Sequence, residues 1–462
     1  MKLLAFLLAV SSVQAAKPAK PQANVPTPEH FHGQAAGTGS AVPDNWWSEF
    51  HDPLLEELVE RVAAANPDAR RAAARASESR AMEGQSRSAL LPSFDASFAA
   101  EHVRGGVNQG IVRASPGSSF ISAYETGVVS SGLESRWELD VFGGLRKQLS
   151  ASKADTQASA GALQDVIRIA RSELARNYVE LRGYEDQMAI VRRQSDAESE
   201  MLELIRDRAN AGLASQLDVE RQQTQLATTR AALPDLEAQH LQAAYRIAVL
   251  LGEEPAALLS RLGEPPRPLD VPALPESIPS ELLKRRPDLR RAEAEIDAAY
   301  ARAGAARADL YPRFSFSAQS GRQGVNLAGL AFGAGNFFSV GPTISLPIFQ
   351  GGKIKSQIAA SDARLEQAVR SYEGDVLAAF EETENALANR ISSEQRQHEL
   401  EAAAGSARGS VELARELYIG GLGDFLDVLD AQREQFRADR DVAAAKTAVL
   451  RATVALYKSL GN

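Results

Sequence analysis

The sequence predicts an α+β membrane protein in which one unit of short strands and very long helices is used twice. Three observations carry this reading: an internal repeat, segments of period-two alternation in duplicated positions, and two long stretches without proline. Pro67-Asp68-Ala69-Arg70-Arg71 returns as Pro287-Asp288-Leu289-Arg290-Arg291, and Pro92-Ser93-Phe94 returns as Pro312-Arg313-Phe314, both at an offset of 220. Phe142-Gly143-Gly144 is echoed by Phe349-Gln350-Gly351-Gly352. Gly212-Leu213 with Asp218-Val219 is echoed by Gly421-Leu422 with Asp427-Val428 at an offset of 209. A drifting offset means only that the intervening loops differ in length.

Within each unit the order is the same. A helix of roughly 38 residues (53–90, then 276–310) ends at a proline, and two alternating segments, a helix of about 65 residues and a return helix of about 38 follow it. In the alternating segments Phe94, Ala96 and Phe98 oppose Asp95 and Ser97, while Trp137, Leu139 and Val141 oppose Arg136, Glu138 and Asp140. The second unit sets Phe314 and Phe316 against Ser315 and Ser317, and Val340, Ile344, Leu346 and Ile348 against Ser339, Thr343 and Ser345. Period two with one apolar and one polar face is a strand with oil or core on one side and water on the other. The stretches from Gly143 to about Arg208 and from Gly351 to about Leu417 contain no proline, and at 1.5 Å per residue each makes a helix of roughly 100 Å.

These elements divide the chain into a signal peptide (1–15), an extended N-terminal arm (16–50), a first repeat (51–251), a Pro-rich linker (252–276) and a second repeat (277–462). The signal is read from Lys2, the apolar run Leu3 to Val10, and the small-x-small site Val13-Gln14-Ala15. The arm is rich in Pro, Gly and Ala and has no pattern of its own from which to build a core.

Composition narrows the function classes. The chain of 462 residues is Ala-rich, 44% hydrophobic and only 6% aromatic, so long helices must pack closely through small side chains. No cysteine is present, which excludes disulfides, thiolate metal sites and a lipidated N-terminal Cys. The net charge is −9, and −10 once Lys2 is removed with the signal, which argues against nucleic acid and against polybasic docking on anionic lipid. After the signal, no apolar run reaches the roughly 18 residues of a membrane helix, so any insertion uses strands. Four strands cannot close a barrel, for which about eight is the practical minimum, and open edges are not tolerated in lipid. The chain is therefore expected to share a barrel with copies of itself.

Several motifs resemble the TolC-like outer-membrane efflux proteins, within them the NodT and OprM branch, over nearly all of the chain after the signal. They are Asn45-Trp46-Trp47-x-x-Phe50-x-Asp52-Pro53, Asn66-Pro67-Asp68, Leu91-Pro92, the strand-to-helix joints Trp137 to Gly143 and Pro347-Ile348-Phe349-x-Gly351-Gly352, and above all Tyr418-Ile419-Gly420-Gly421-x-x-Asp424-Phe425-Leu426-Asp427-Val428-Leu429-Asp430-Ala431-Gln432-Arg433. The resemblance implies a homotrimer. In it, four strands per protomer form one outer-membrane β-barrel continuous with a long periplasmic α-helical barrel. It further implies a periplasmic adaptor protein and an inner-membrane pump as partners, with outer-membrane lipid around the strands. Two departures are visible. Many members of that branch carry a lipidated Cys, absent here, and Gly423 stands where the TolC-type gate has an Arg two residues after the tip Gly.

The candidate site residues lie near the two turns between long and return helices. Asp427 and Asp430 share a helix face at i, i+3, with Leu426 one turn before Asp430 and Arg433 one turn after it. Read plainly they are a solvated face with an Asp430–Arg433 pair; read with the resemblance and three-fold symmetry they form a periplasmic gate, an acidic ring beside an apolar constriction. The resemblance also matches Asp218 and Tyr418 to a lateral latch between helix pairs, and Arg221 stands at the repeat position of Asp430. Gly212, Leu213, Ala214 and Ser215, and Gly421, Leu422 and Asp424, turn the helices back, with Gly at positive φ and Ser215 and Asp424 as N-caps. Tips that expose Leu213 and Leu422 have reason to be covered by the adaptor.

Enzymatic readings find little support. His30-x-His32 is the only metal-like spacing and lacks Cys or matched acidic ligands, and no Gly-x-Ser-x-Gly is present. The Gly-rich stretch Gly324 to Gly335 lies between strands and reads as an extracellular loop. No catalytic residue, cofactor or metal is expected. A periplasmic coiled-coil protein such as an adaptor would share the long helices but has no use for four lipid-length strands.

Overall fold

The structure is a computed structural model that describes residues 21, 25–28, 31–32, 43–106, 123–262, 269–274, 279–327 and 330–461. The expected signal peptide and most of the expected arm, including His30, lie outside the described residues.

After a 3-10 turn at Trp46–Phe50 come α1 (Pro53–Ala65), α2 (Pro67–Ser88), β1 (Ser93–Gly106), β2 (Ala123–Leu139), α3 (Gly144–Asn210) and α4 (Gln216–Leu250). The second half has α5 (Leu259–Leu262), α6 (Pro279–Arg285), α7 (Pro287–Ala308), β3 (Arg313–Leu327), β4 (Leu330–Ser345), α8 (Lys353–Ile419) and α9 (Phe425–Ser459). The long helices α3 and α8 have 67 residues each, and the return helices α4 and α9 have 35 each. None of the described helices is long and apolar enough to cross a membrane.

The first helix of each repeat is corrected from one element to two. Pro67 and Pro287 lack the N–H that would continue a helix and force the preceding residue out of the helical region, so Asn66 turns to ψ 128° and α2 starts afresh. Asn66 then caps α2 by accepting from the Asp68 and Ala69 amides, and its Nδ2 donates to the Leu250 carbonyl at the end of α4. In the second repeat Arg286 stands at the same place and donates to the Ser459 carbonyl at the end of α9. One joint is thus built twice, once with an amide and once with a guanidinium.

The chain divides into two compact units. One, residues 77–157 and 294–370, holds the antiparallel sheet in the order β1-β2-β3-β4. Its register puts Phe94 opposite Ser135, Trp137 opposite Phe316, and Phe314 opposite Ile344. Directly opposed residues share a face, so Phe94, Phe98, Val129, Leu133, Trp137, Phe316, Phe338, Val340 and Ile344 all lie on one side, and all are exposed. The other face carries Asp95, Glu134, Arg136, Ser315, Ser317, Gln319 and Thr343. Leu346 and Ile348, expected in a strand, follow the end of β4. The Gly324–Gly335 loop is also corrected. β3 runs to Leu327 and β4 starts at Leu330, and Gly324 and Gly335 lie within the strands beside a register shift between Gln323 and Val325, because ladder pairing outweighs the low strand preference of glycine.

The second unit, residues 23–76, 158–293 and 371–462, holds the main core. Three helices each present apolar residues at i, i+4 and i+7 to it: Leu174, Tyr178 and Leu181; Ala243, Ile247 and Leu250; Leu450, Val454 and Tyr457. Trp46, Trp47 and Phe50 are buried in this core, with Trp46 stacked on Tyr457 at 5.2 Å. The end of the expected arm is therefore a folded plug. Leu258, Leu262, Leu269 and Leu282 are buried in the same cluster, so the described parts of the expected Pro-rich linker and the helix after it pack on the core.

Candidate functional site

Both turns between long and return helices are built alike. The Gly212 N–H donates to the Ala209 carbonyl and the Leu213 N–H to the Arg208 carbonyl, and Gly421 and Leu422 repeat this onto Tyr418 and Leu417. Such pairs of bonds satisfy the last carbonyls of a helix and demand a left-handed residue, and Gly212 and Gly421 stand at φ 72° and 73°. The bend leaves Leu213 and Leu422 at 69% and 81% exposure, with Leu217 and Leu426 also exposed. Beneath the turns lies a small core of Met201, Leu202, Ile205, Val219, Tyr418, Phe425, Val428 and Leu429, through which the two hairpins pack on each other.

The helix starts differ. Ser215 closes a reciprocal box with Asp218: its Oγ accepts from the Asp218 amide and donates to the Asp218 carboxylate at 2.7 Å, and the Ser215 amide donates to the same carboxylate. Asp424 occupies the same N-cap position but makes no side-chain capping bond, which corrects its expected role. Its partner three residues on is Asp427, and two acceptor-only carboxylates cannot form a counterpart of the Ser215–Asp218 side-chain bond, although either could accept from a backbone N–H. The same substitution of charge recurs one turn further: Arg221 lies 3.8 Å from Asp218 in the first hairpin, whereas its repeat position in the second is Asp430, beside Asp427. Asp424, Asp427 and Asp430 are all exposed at the start of α9.

Arg433 is only loosely engaged with Asp430, at 3.8 Å; its Nε donates instead to Gln225 Oε1 of α4 at 2.8 Å. Gln225 is held in turn by Glu198, a fully buried carboxylate of α3 whose Oε1 accepts from Gln225, Thr229 and Gln194. Gln222 donates to the Glu198 carbonyl. Sequence reasoning missed this network. The signal was available as polar residues 222, 225 and 229 on one helix face, which looks like a solvated face until α3 is packed against it.

Tyr418 is buried, its ring against Phe425 at 5.6 Å and under the Arg208 guanidinium at 4.8 Å, and its Oη has no hydrogen-bond partner among the described residues. Burial pushes its hydroxyl up; Arg208 opposes this and the Asp218 charge adds to it. Leu426, Asp427, Asp430 and Arg433 are thus gathered on α9. Asp218, Arg221 and Tyr418 border the same small core from α4 and α8. No group of three His, Asp or Glu residues fit to hold a metal occurs among the described residues.

The family described as outer membrane efflux protein matches this chain twice, over residues 58–253 and 278–462. The pyoverdine export outer membrane protein OpmQ of Pseudomonas aeruginosa is 31% identical over 453 residues, covering 96% of this chain and 93% of that protein. Outer membrane protein OprJ of the same organism is 29% identical, covering 95% and 90%. Among solved structures, the outer-membrane channel OprN is similar with a TM-score of 0.82 at 33% identity, covering 96% of this chain and 98% of that one.

Proposed function

This chain belongs to the outer membrane efflux protein family, and from that premise we propose how its residues form the channel: copies of the chain share one barrel, and the start of α9 gates it. The protein is the outer-membrane exit duct of an efflux system, working with an adaptor and an inner-membrane pump. The observation that carries the reading is the four-stranded sheet, whose exposed apolar face suits lipid and whose edge strands β1 and β4 have no further strand partner among the described residues. Four strands need copies to close, and three copies supply twelve, above the practical minimum of about eight. The polar face then lines the water-filled lumen.

In this reading the tips Gly212 to Ser215 and Gly421 to Asp424 meet the adaptor through Leu213 and Leu422. Leu426 forms a dry constriction. Asp427 and Asp430, repeated around the symmetry axis, gather cations beside it, and the sparse engagement of Arg433 leaves most of that charge unneutralised. Asp218 and Tyr418 form the lateral latch between the hairpins, and Arg221, at the repeat position of Asp430, pairs with Asp218.

Planar-bilayer recording tests the gate. Replacing Leu426 and Asp430 together by Ala is expected to raise single-channel conductance and weaken block by divalent cations, since the plug and one carboxylate per chain are gone. Glu220→Ala is the control, a charge removed from α4 where its carboxylate accepts from Gln216. Equal opening by the control, or unchanged conductance and block in the double variant, refutes the gate.

A further inference from the structure

The chain holds two versions of one helix contact. At the offset of 209 that relates the two tips, Glu198 of α3 corresponds to Ala407 of α8, and Thr229 of α4 corresponds to Ala438 of α9. In the second repeat Ala407 and Ala438 pack with Ala404 in a small buried cluster. In the first, the same positions hold a fully buried carboxylate whose Oε1 accepts from Thr229 at 3.1 Å, from Gln225 at 3.2 Å and from Gln194 at 3.0 Å. Its Oε2 is buried with no hydrogen-bond partner among the described residues. An alanine pair thus suffices to join a long helix to its return helix, and a half-satisfied buried carboxylate is a costly replacement. The contact between α3 and α4 gives no reason for Glu198 by itself.

The reason lies on a third helix. The amide of Gln225 is fixed from both sides: the Glu198 carboxylate only accepts and so takes Nε2, while the Arg433 guanidinium only donates and so takes Oε1, at 2.8 Å from its Nε. Arg433 Nη1 is left 3.8 Å from Asp430 Oδ1, beyond hydrogen-bond distance, although the i, i+3 spacing on α9 allows the pair to close. The second repeat position of Gln225 is Glu434, and the first repeat position of Arg433 is Thr224, whose hydroxyl donates within its own helix to the Glu220 carbonyl. Only the version with the carboxylate reaches across to a cation beside the acidic start of α9. We propose that Glu198 is a positioning residue for the gate: by orienting Gln225 it draws Arg433 onto α4 and away from Asp430, and so sets how much of the acidic charge there stays unneutralised. The inference rests on the gate proposed above and names what tunes it. Gln225 offers Arg433 a bond without a charge, so Asp430 keeps its own.

Planar-bilayer recording of the full-length protein, with magnesium as the blocking ion, tests the role. Gln225→Leu removes the acceptor that holds Arg433, and block should weaken by about twofold or more, the size expected when an exposed ion pair closes in each copy. The same change in an Arg433→Gln background should leave block unaltered, because no guanidinium remains to be released; a loss of packing alone would act in both backgrounds. Glu198→Ala with Thr229→Ala installs the contact that the second repeat already uses, so the hairpin should fold and block should weaken in the same direction. Glu198→Gln keeps an acceptor for Gln225 and should restore most of the block. Asp430→Ala reports on the gate itself. Suppose Asp430→Ala weakens block. Then the positioning role is overturned, and the gate stands, if Gln225→Leu or the double-alanine variant leaves block unchanged or strengthens it, if Gln225→Leu acts equally without Arg433, or if Glu198→Gln loses as much block as the double-alanine variant. Unchanged block in Asp430→Ala overturns the gate and the positioning role with it.

Discussion

Replacing Gly183 by Ala tests how tightly α3 is fitted to α9. Gly183 is buried mid-helix, where Ala is ordinarily preferred by about 1 kcal/mol. A methyl there would come within 2.7 Å of Thr447 Cγ2 and 3.1 Å of Thr447 Cβ, and closer still to its Oγ1. Rotation of Thr447 offers little relief: its hydroxyl donates to the Ala443 carbonyl, and Cβ cannot move without the backbone. Overpacking of this kind costs about 1–3 kcal/mol, so the net effect is a loss of about 0–2 kcal/mol rather than the usual gain. The decisive comparison is the double variant Gly183→Ala, Thr447→Ala, which removes the branch and should recover the propensity gain, giving a coupling of about 1 kcal/mol or more. Thermal loss of the helical circular dichroism signal in detergent is the assay. A midpoint raised by Gly183→Ala alone, or additive effects in the double variant, would show that the helices have slack here.

Two further outcomes follow from the joints and caps. Asp424→Ser should install in the second hairpin the box that Ser215 and Asp218 close in the first, stabilising the start of α9 by about 0.5–2 kcal/mol, read as slower amide exchange over its first turn; unchanged exchange would refute the charge argument. Arg286→Met should remove a pH-dependent contribution. Burial alone would raise Asp288 and Glu382, but hydrogen bonds and charge from Arg286, joined at Glu382 by Lys458, hold both below their ordinary values of 3.8 and 4.5. Their stabilisation is therefore complete above those values and lost as pH falls through the depressed ones. The gap in melting midpoint between wild type and variant should be full at about pH 6 and narrow by about pH 3, and a constant gap would refute the linkage.

The duplicated order of elements and the faces of the strands were legible because they depend on period and spacing, which Phe94, Phe98, Trp137 and Ile344 display directly. The turns were legible because Gly-Leu pairs at corresponding positions point to left-handed helix ends. What escaped depended on long-range packing. Whether Pro67 ends a helix or merely kinks it is settled by the Leu250 carbonyl that receives Asn66. Burial of Glu198 and Gln225 requires knowing which face α3 covers. The missing Asp424 capping bond escaped because Asp is a favoured N-cap, and residue preferences taken one at a time do not register the like charge of Asp427 three residues on.

Fusing two copies of a unit into one chain has a consequence that the two turns make concrete. In an assembly of separate identical units, every hairpin would have to be both well anchored and charged, and whatever loosened one would loosen all. Here the hairpin with Ser215 carries a self-satisfied start, while its twin concentrates Asp424, Asp427 and Asp430 and goes without. Duplication lets the two helix starts differ within one chain, so that mutations that tune one half need not be repeated in the other.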